Sequence, residues 1–148
     1  MKEYKATTTF DAPPQTIWAI LTDAPNYAQW DPGVDRIEGR IARGEKITAY
    51  SKLSPGRGFP ATVSEFEPNR KMTWSSGMPL GLFKGLRTFT LTPQGNGSVE
   101  FTLREVFSGP LLPLIGRSIP DMTENFQQFV AGLKQEAENR VEAGRRPG

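Results

Sequence analysis

The chain contains no cysteine and no histidine among its 148 residues. The missing cysteines exclude disulfides, thiol nucleophiles and zinc-finger sites, and the missing histidines exclude Ser-His-Asp and Cys-His catalytic sets. Histidine is also the side chain that most often transfers protons near neutral pH. Any catalysis must therefore rest on Glu, Asp, Lys, Arg, Tyr, Ser or Thr.

The net charge is small, and long apolar runs are absent. The aspartates show no calcium-loop spacing, so we expect no metal and no cofactor. A net charge of +2, with no basic stripe on any helix, does not support nucleic-acid binding. No run approaches the length of a transmembrane segment, and the first residues do not form a signal peptide. We therefore expect a single cytoplasmic domain over residues 1–143, followed by a flexible tail at 144–148.

What the sequence does contain is a series of strand-forming segments joined by short turns. Alternating patterns predict seven strands, near 3–10, 34–42, 45–53, 58–67, 70–76, 84–93 and 97–107. Arg43-Gly44, Pro68-Asn69 and Gly95-Asn96-Gly97 supply the positive φ that tight hairpins need. Short connections favour antiparallel pairing in chain order.

Two short helices are predicted between the first two strands, within residues 10–32. Pro13 and Pro14 suit the start of the first helix, and Asp23 is expected to cap a second helix that has Pro25 in its first turn. The large side chains of this segment are expected to close one end of the sheet. Only the end of Tyr27 is predicted to be a polar pocket group.

A long C-terminal helix is predicted over about 118–143, with Ser118 and Asp121 in capping-box spacing. Its apolar stripe must pack on the sheet and consists of Met122, Phe126, Phe129, Val130, Leu133 and Ala137. The order β-α-α-β-β-β-β-β-β-α predicts an α+β fold. In this fold a seven-stranded antiparallel sheet wraps the long helix, with a cavity between them.

Taken in this order, the segments resemble the START-like, or SRPBCC, superfamily with its helix-grip fold, and within it the bacterial polyketide cyclase/dehydrase-like branch. The resemblance is carried by Pro13 to Asp23, Tyr27 to Pro32, ATVSEFEPNRKMTW at 61–74, RTFTLTPQGNGSVEF at 87–101 and REVFSGPLLPLIG at 104–116. It implies a cavity for a hydrophobic small molecule such as a lipid or polyketide. It does not imply one activity, because the superfamily includes lipid carriers, cyclases, enzyme subunits and chaperone-like binders.

The last hairpin predicts one polar pair on an apolar sheet face. A three-residue turn at 95–97 sets Leu91 opposite Phe101, Phe89 opposite Leu103, and Arg87 opposite Glu105. We therefore expect an Arg87–Glu105 ion pair on the concave wall. The pair either fixes strand register near the cavity mouth, or it holds Arg87 ready to bind a ligand carboxylate or carbonyl.

The other predicted wall residues follow from the same alternation and from the helix stripe. The turn at 68–69 sets Phe66 opposite Met72 and Ser64 opposite Trp74. Trp74 can offer its indole N–H to a ligand, or it can be ordinary core. Together with Arg87 and Glu105, the predicted cavity wall comprises Phe66, Met72, Trp74, Phe89, Phe101, Leu103, Phe107, Met122, Phe126 and Phe129.

Two loops are unusually apolar. The first contains Met78, Leu80 and Phe83, and the second contains Leu111, Leu112 and Ile115. Apolar loops normally avoid free exposure to water. They are therefore predicted to be a cavity gate with glycine hinges, extra core, or a surface that docks on a membrane, a partner protein or a second copy of the chain.

Three functions remain open from the sequence. The first is a binding module that holds a hydrophobic small molecule without chemistry. The second is a cyclase or dehydratase in which Glu105 transfers protons while Arg87 polarises a carbonyl. A direct arginine partner lowers the pKa of a glutamate, which argues against Glu105 as the base. The third is a protein-interaction module that uses the exposed sheet face or the apolar loops as a docking surface.

Overall fold

The computed structural model describes residues 1–145, and within them seven strands form one antiparallel sheet. The strands are β1 (Lys2–Phe10), β2 (Val34–Glu38), β3 (Lys46–Ser51), β4 (Gly58–Glu67), β5 (Lys71–Gly77), β6 (Lys84–Pro93) and β7 (Val99–Ser108). Their order across the sheet is β1-β7-β6-β5-β4-β3-β2, so β2 to β7 are neighbours in chain order. The first strand, β1, pairs with the last, β7.

Four α-helices accompany the sheet: α1 (Pro14–Leu21), α2 (Tyr27–Trp30), α3 (Leu112–Ile115) and α4 (Thr123–Arg145). The predicted α+β helix-grip fold and its element order are confirmed. Short structures not predicted from the sequence lie in the apolar loops: α3 and the 3-10 turns Pro79–Gly81 and Gly116–Ser118. A further 3-10 turn, Ala24–Asn26, leads into α2.

The long helix α4 buries the predicted stripe against the sheet, because residues three and four apart share one face. Phe126, Phe129, Val130, Leu133 and Ala137 are buried, and Met122 is half-buried just before the helix begins. The helix runs to Arg145, so it takes in the first two residues assigned to the flexible tail. The rest of that predicted tail, residues 146–148, lies outside the described residues.

The predicted start of this helix at Ser118 is wrong. Pro120 disfavours helical backbone at the residue before it, and Ile119 is extended with ψ at 119°. Asp121 instead accepts a hydrogen bond from the Thr123 backbone N–H at 3.0 Å. The Ser118 hydroxyl donates to the Ile115 carbonyl at 2.7 Å and takes no part in capping α4.

Two details of the segment before β2 also differ from prediction. The Asp23 side chain makes no capping bond to the backbone and accepts a hydrogen bond from the Asn26 side-chain amide at 2.7 Å. Tyr27 is not a pocket group, because its hydroxyl donates to the Leu21 carbonyl and the residue is 1% exposed. The second helix is therefore held by buried side chains and not by an aspartate cap.

Large rings close one end of the molecule, as predicted. Trp18 lies against Phe66, with ring centroids 5.2 Å apart, and Trp30 lies edge-on to Phe129 at 4.9 Å. The helices α2 and α4 come close at Gly132, where an added Cβ would lie 1.9 Å from the Trp30 carbonyl oxygen. Only a glycine allows this approach, which fixes α2 on α4.

Candidate functional site

The predicted ion pair lies on the inward face of the sheet. The β6–β7 register sets Arg87 opposite Glu105, Phe89 opposite Leu103 and Leu91 opposite Phe101, as the turn predicts. Arg87 Nη2 is 3.2 Å from Glu105 Oε2, and the side chains are 23% and 12% exposed. The guanidinium carbon lies 5.2 Å from the centre of the Phe126 ring on α4. The pair therefore faces the helix and has only limited contact with water.

Arg87 and Glu105 belong to a row of four side chains that crosses the sheet. Trp74 on β5 pairs with Arg87, and Tyr4 on β1 pairs with Glu105. We call Trp74, Arg87, Glu105 and Tyr4 the polar row. Trp74 is 5% exposed, and its indole Nε1 has no hydrogen-bond partner among residues 1–145. A buried N–H without an acceptor costs about 1–3 kcal/mol, so this group calls for an explanation.

A β-bulge in β4 changes which residue lies opposite Trp74, whose indole N–H has no partner within the described part of the chain. The predicted pairing of Phe66 with Met72 is confirmed, but a register shift between Val63 and Glu65 sets Val63, not Ser64, opposite Trp74. The Ser64 hydroxyl bonds instead to Ser75, 2.6 Å away. Trp74 therefore has a buried valine beside it where the sequence predicted a hydroxyl.

Sequence reasoning missed Asp31 as a member of this region. Asp31 follows α2, is 7% exposed, and accepts a hydrogen bond from the Gly33 backbone N–H at 3.0 Å. Burial raises the pKa of its carboxyl, although the Gly33 bond and the charges of Arg87 and Lys52 act in the opposite direction. In the sequence, Asp31-Pro32-Gly33 indicated only a turn. The one sign that Asp31 could be buried was its position directly after the aromatic Trp30.

The predicted wall residues fall into two groups. The deep group, which is almost fully buried, consists of Met72, Phe89, Phe101, Leu103 and Phe129. Ring contacts fill this level, with Phe89 at 5.9 Å and Phe101 at 6.3 Å from the Phe129 ring. Phe66 is half-buried against Trp18 at the closed end. Deep residues therefore pack sheet and helix together.

The second group lies towards the opposite end of the molecule. Arg87, Phe107 and Met122 are half-buried there, beside the buried Glu105 and Phe126. Phe126 contacts Tyr4 at a ring distance of 5.9 Å, and Tyr4 contacts Phe107 at 6.4 Å. Arg87 and Glu105 thus lie between the packed interior and a half-open end, whereas Trp74 contacts the interior rings of Phe89 and Tyr27 at 4.7 and 6.2 Å.

The two apolar loops meet at this half-open end, and we call them the rim loops (residues 78–83 and 109–119). The Leu111 N–H donates to the Leu82 carbonyl at 2.9 Å, and Phe83 stacks on Phe107 at 5.9 Å. Phe83, Leu111, Leu112 and Ile115 are half-buried.

The tips of the rim loops face outward. Leu80 is 96% exposed and Met78 43% exposed, so the extra-core interpretation is wrong for these two residues. Leu80 also has a φ of 61°, which is unusual for a residue other than glycine. A gate and a docking surface both remain consistent with these tips.

Two of the surface grooves among residues 1–145 have volumes of about 400 Å³ each. One lies beneath the first rim loop and is lined in part by Ser76, Met78 and Phe83. The other lies between α2 and α4 and is lined in part by Trp30, Gln128 and Gly132. Neither groove is lined by Arg87 or Glu105.

Within residues 1–145 there is no group of three or more acidic side chains placed to hold a metal ion. None of the helices in that part of the chain has both the length and the apolarity needed to cross a membrane.

Comparison with solved structures finds the same fold in several bacteria. The Zhui aromatase/cyclase of Streptomyces sp. R1128 matches with a TM-score of 0.71 and 16% identity, covering 99% of both chains. A hypothetical protein of Helicobacter pylori matches with a TM-score of 0.74 and 15% identity, covering 92% of this chain and 88% of its own. A START superfamily protein of Mycobacterium smegmatis matches with a TM-score of 0.66 and 18% identity, covering 93% and 98%.

The sequence itself identifies the family more directly. No curated protein matches the chain. The family described as "Polyketide cyclase / dehydrase and lipid transport" matches residues 1–138, which include every strand and most of α4. The chain therefore belongs to the polyketide cyclase/dehydrase and lipid transport family, and it has the helix-grip fold.

Proposed function

We propose that the protein binds a hydrophobic small molecule at the half-open end of the sheet–helix interface, beneath the rim loops. The observation that carries this proposal is the Arg87–Glu105 pair, 3.2 Å apart on the otherwise apolar inward face of the β6–β7 hairpin. A few polar groups in an apolar, concave site are what orient a small ligand. The pair therefore supplies the polar anchor, and the surrounding rings supply the apolar contact.

Gly85 carries no side chain on the inward face at this end. It is buried one step outward from the polar row, between Ser76 and Phe107. A Cβ on Gly85 would lie 2.9 Å from the Ser76 hydroxyl oxygen and 3.4 Å from the Phe107 ring. A side chain at this position must therefore displace these two neighbours.

The comparisons support a ligand-binding role at the level of class. The family description includes lipid transport, and one protein of the same fold is an aromatase/cyclase. Both activities handle molecules with large apolar surfaces. The apolar surface around the polar row suits such a ligand.

A substitution that fills the half-open end tests this function. Gly85→Val places a strand-compatible side chain beside Phe107, and the neutral dye N-phenylnaphthylamine reports binding by its fluorescence. We expect saturable binding to the natural protein and at least about tenfold weaker binding to Gly85→Val, because a lost apolar contact of this size is worth ~1.4 kcal/mol.

The matched control is Thr88→Val on the same strand. Thr88 pairs with Arg104 and Thr73 on the other face of the sheet, so this valine should leave dye binding unchanged. Far-ultraviolet circular dichroism establishes that both variants fold. If folded Gly85→Val and folded Thr88→Val bind the dye with equal affinity, the binding site does not lie at the half-open end beside Gly85.

A second candidate is a cyclase or dehydratase, and Asp31 is the observation in its favour. Its raised pKa gives it a larger protonated fraction than an ordinary aspartate, as proton donation to a leaving hydroxyl requires. Glu105 suits this role less well because it is paired directly with Arg87. Incubation with a linear triketone that can close by aldol condensation tests this activity. Ring closure that is lost in Asp31→Asn would support it.

A further inference from the structure

We infer that the ligand presents a neutral hydrogen-bond acceptor, such as a ketone, ester or quinone carbonyl, to Trp74 and Arg87, and that carboxylate ligands are disfavoured. This inference rests on the proposed function and specifies the chemical class of ligand. It follows from the donors that the polar row leaves available and from the charge already present around them.

Two adjacent side chains of the polar row supply donors. Trp74 Nε1 is buried without an acceptor among residues 1–145, and an indole N–H can only donate. Arg87 makes one side-chain hydrogen bond, to Glu105, although a guanidinium has about five N–H groups. Trp74 and Arg87 are paired across β5 and β6, and paired residues of an antiparallel sheet have Cβ atoms ~5 Å apart on the same face. The site therefore has an excess of donors.

Charge selects against an anion. The Glu105 carboxylate, 3.2 Å from Arg87, already compensates the guanidinium charge. A ligand carboxylate would place a second negative charge beside Glu105 in a half-shielded region, and an uncompensated buried charge is strongly unfavourable. A carbonyl accepts the same hydrogen bonds and adds no charge.

The other ionisable groups near this end do not alter that balance. Asp31 adds a further acidic group within the field of Arg87, and burial favours its neutral form. Lys2 lies one step outward from Tyr4, with its ammonium 5.6 Å from the Tyr4 ring, and its charge acts on Asp121. Lys84 is exposed and lies on the outward-facing side of β6.

A matched pair of ligands tests the inference. Acetylnaphthalene and naphthoate share one ring system and differ in ending with a ketone or a carboxylate, and each is titrated against bound N-phenylnaphthylamine near neutral pH. We expect the ketone to displace half of the dye at a concentration at least about tenfold lower than the carboxylate. Trp74→Phe keeps a buried ring and should raise the half-displacing concentration of the ketone about fivefold or more.

Glu105→Gln provides the second variant. Removing its charge leaves Arg87 uncompensated, so the ratio of carboxylate to ketone affinity should rise by about tenfold or more. The inference is overturned if naphthoate binds the natural protein as tightly as acetylnaphthalene or more tightly. It is also overturned if the ratio of carboxylate to ketone affinity is unchanged in Glu105→Gln. In either case, saturable dye binding still upholds the proposed function. Absence of saturable dye binding to the natural protein overturns the proposed function and this inference together.

Discussion

At the scale of single residues, the site depends on which face of β7 a charge occupies. Glu105 and Arg104 are neighbours in sequence, and each forms an ion pair with an adjacent strand. Arg104 pairs with Glu3 at 2.7 Å on the outward face, where the side chains are 48% and 36% exposed. The Arg87–Glu105 pair on the inward face is much less exposed. Alternation along one strand thus creates one solvated pair and one shielded pair.

The two pairs should respond differently to mutation. Arg87→Gln leaves the Glu105 carboxylate half-shielded without its cation, and we expect a loss of about 2 kcal/mol in the free energy of unfolding. Arg104→Gln should change the urea midpoint little, because exposed pairs contribute little to stability. Urea unfolding near neutral pH measures both. Equal losses in the two variants would show that the inward pair is as well solvated as the outward pair.

The buried Asp31 carboxyl predicts how the stability of the protein depends on pH. Burial raises the pKa of its carboxyl above the ordinary value of 3.8, so the folded protein binds this proton more tightly than the unfolded chain. The contribution of Asp31 to stability therefore falls as pH rises from 3.8 through the raised pKa. Asp31→Asn keeps an oxygen acceptor for Gly33 and does not titrate. Its stability relative to the natural protein should increase between about pH 4 and about pH 7 in urea unfolding.

The control for this experiment is Asp35→Asn, since Asp35 is exposed on β2. Its stability difference from the natural protein should vary much less with pH than that of Asp31→Asn. A difference for Asp31→Asn that stays constant with pH would mean that the carboxyl is not buried in solution.

At the scale of elements, the sequence predicted those features that short local rules determine. The Gly95-Asn96-Gly97 turn fixed the β6–β7 register, and through it the Arg87–Glu105 pair. The bulge near Ser64 was missed because no glycine or proline marks it in the strand, and it reverses which side chain faces Trp74. The start of α4 was misplaced because the capping-box spacing was given more weight than Pro120. Asp31 was missed because its burial depends on tertiary packing.

The contact between α2 and α4 gives a prediction for one glycine. Gly132→Ala places a Cβ where the Trp30 carbonyl oxygen lies 1.9 Å away, so the helices must separate. We expect a loss of about 1–3 kcal/mol, as for other overpacked positions. Gly144→Ala in the same helix has open space around it and should be neutral or stabilising, because alanine favours helix. Thermal unfolding compares the two. Destabilisation of similar size in both would exclude close packing as the cause.

At the scale of the whole molecule, the two ends of the sheet–helix interface differ. Trp18, Phe66 and the short helices close one end, and the deep rings join sheet to helix. The other end has the polar row beneath the rim loops, whose tips carry exposed Met78 and Leu80. Under the proposed function, the ligand enters where the rim loops meet and reaches the Arg87–Glu105 pair before the packed rings.

This asymmetry is most directly tested by the indole N–H signals of the three tryptophans in a nitrogen-15 NMR spectrum. Trp74 lies in the polar row, Trp18 at the closed end, and Trp30 beside the groove between α2 and α4. Titration with acetylnaphthalene should shift the Trp74 signal downfield and leave the Trp18 signal in place. Saturable binding that shifts the Trp30 signal while Trp74 stays unchanged would contradict a binding site at the polar row.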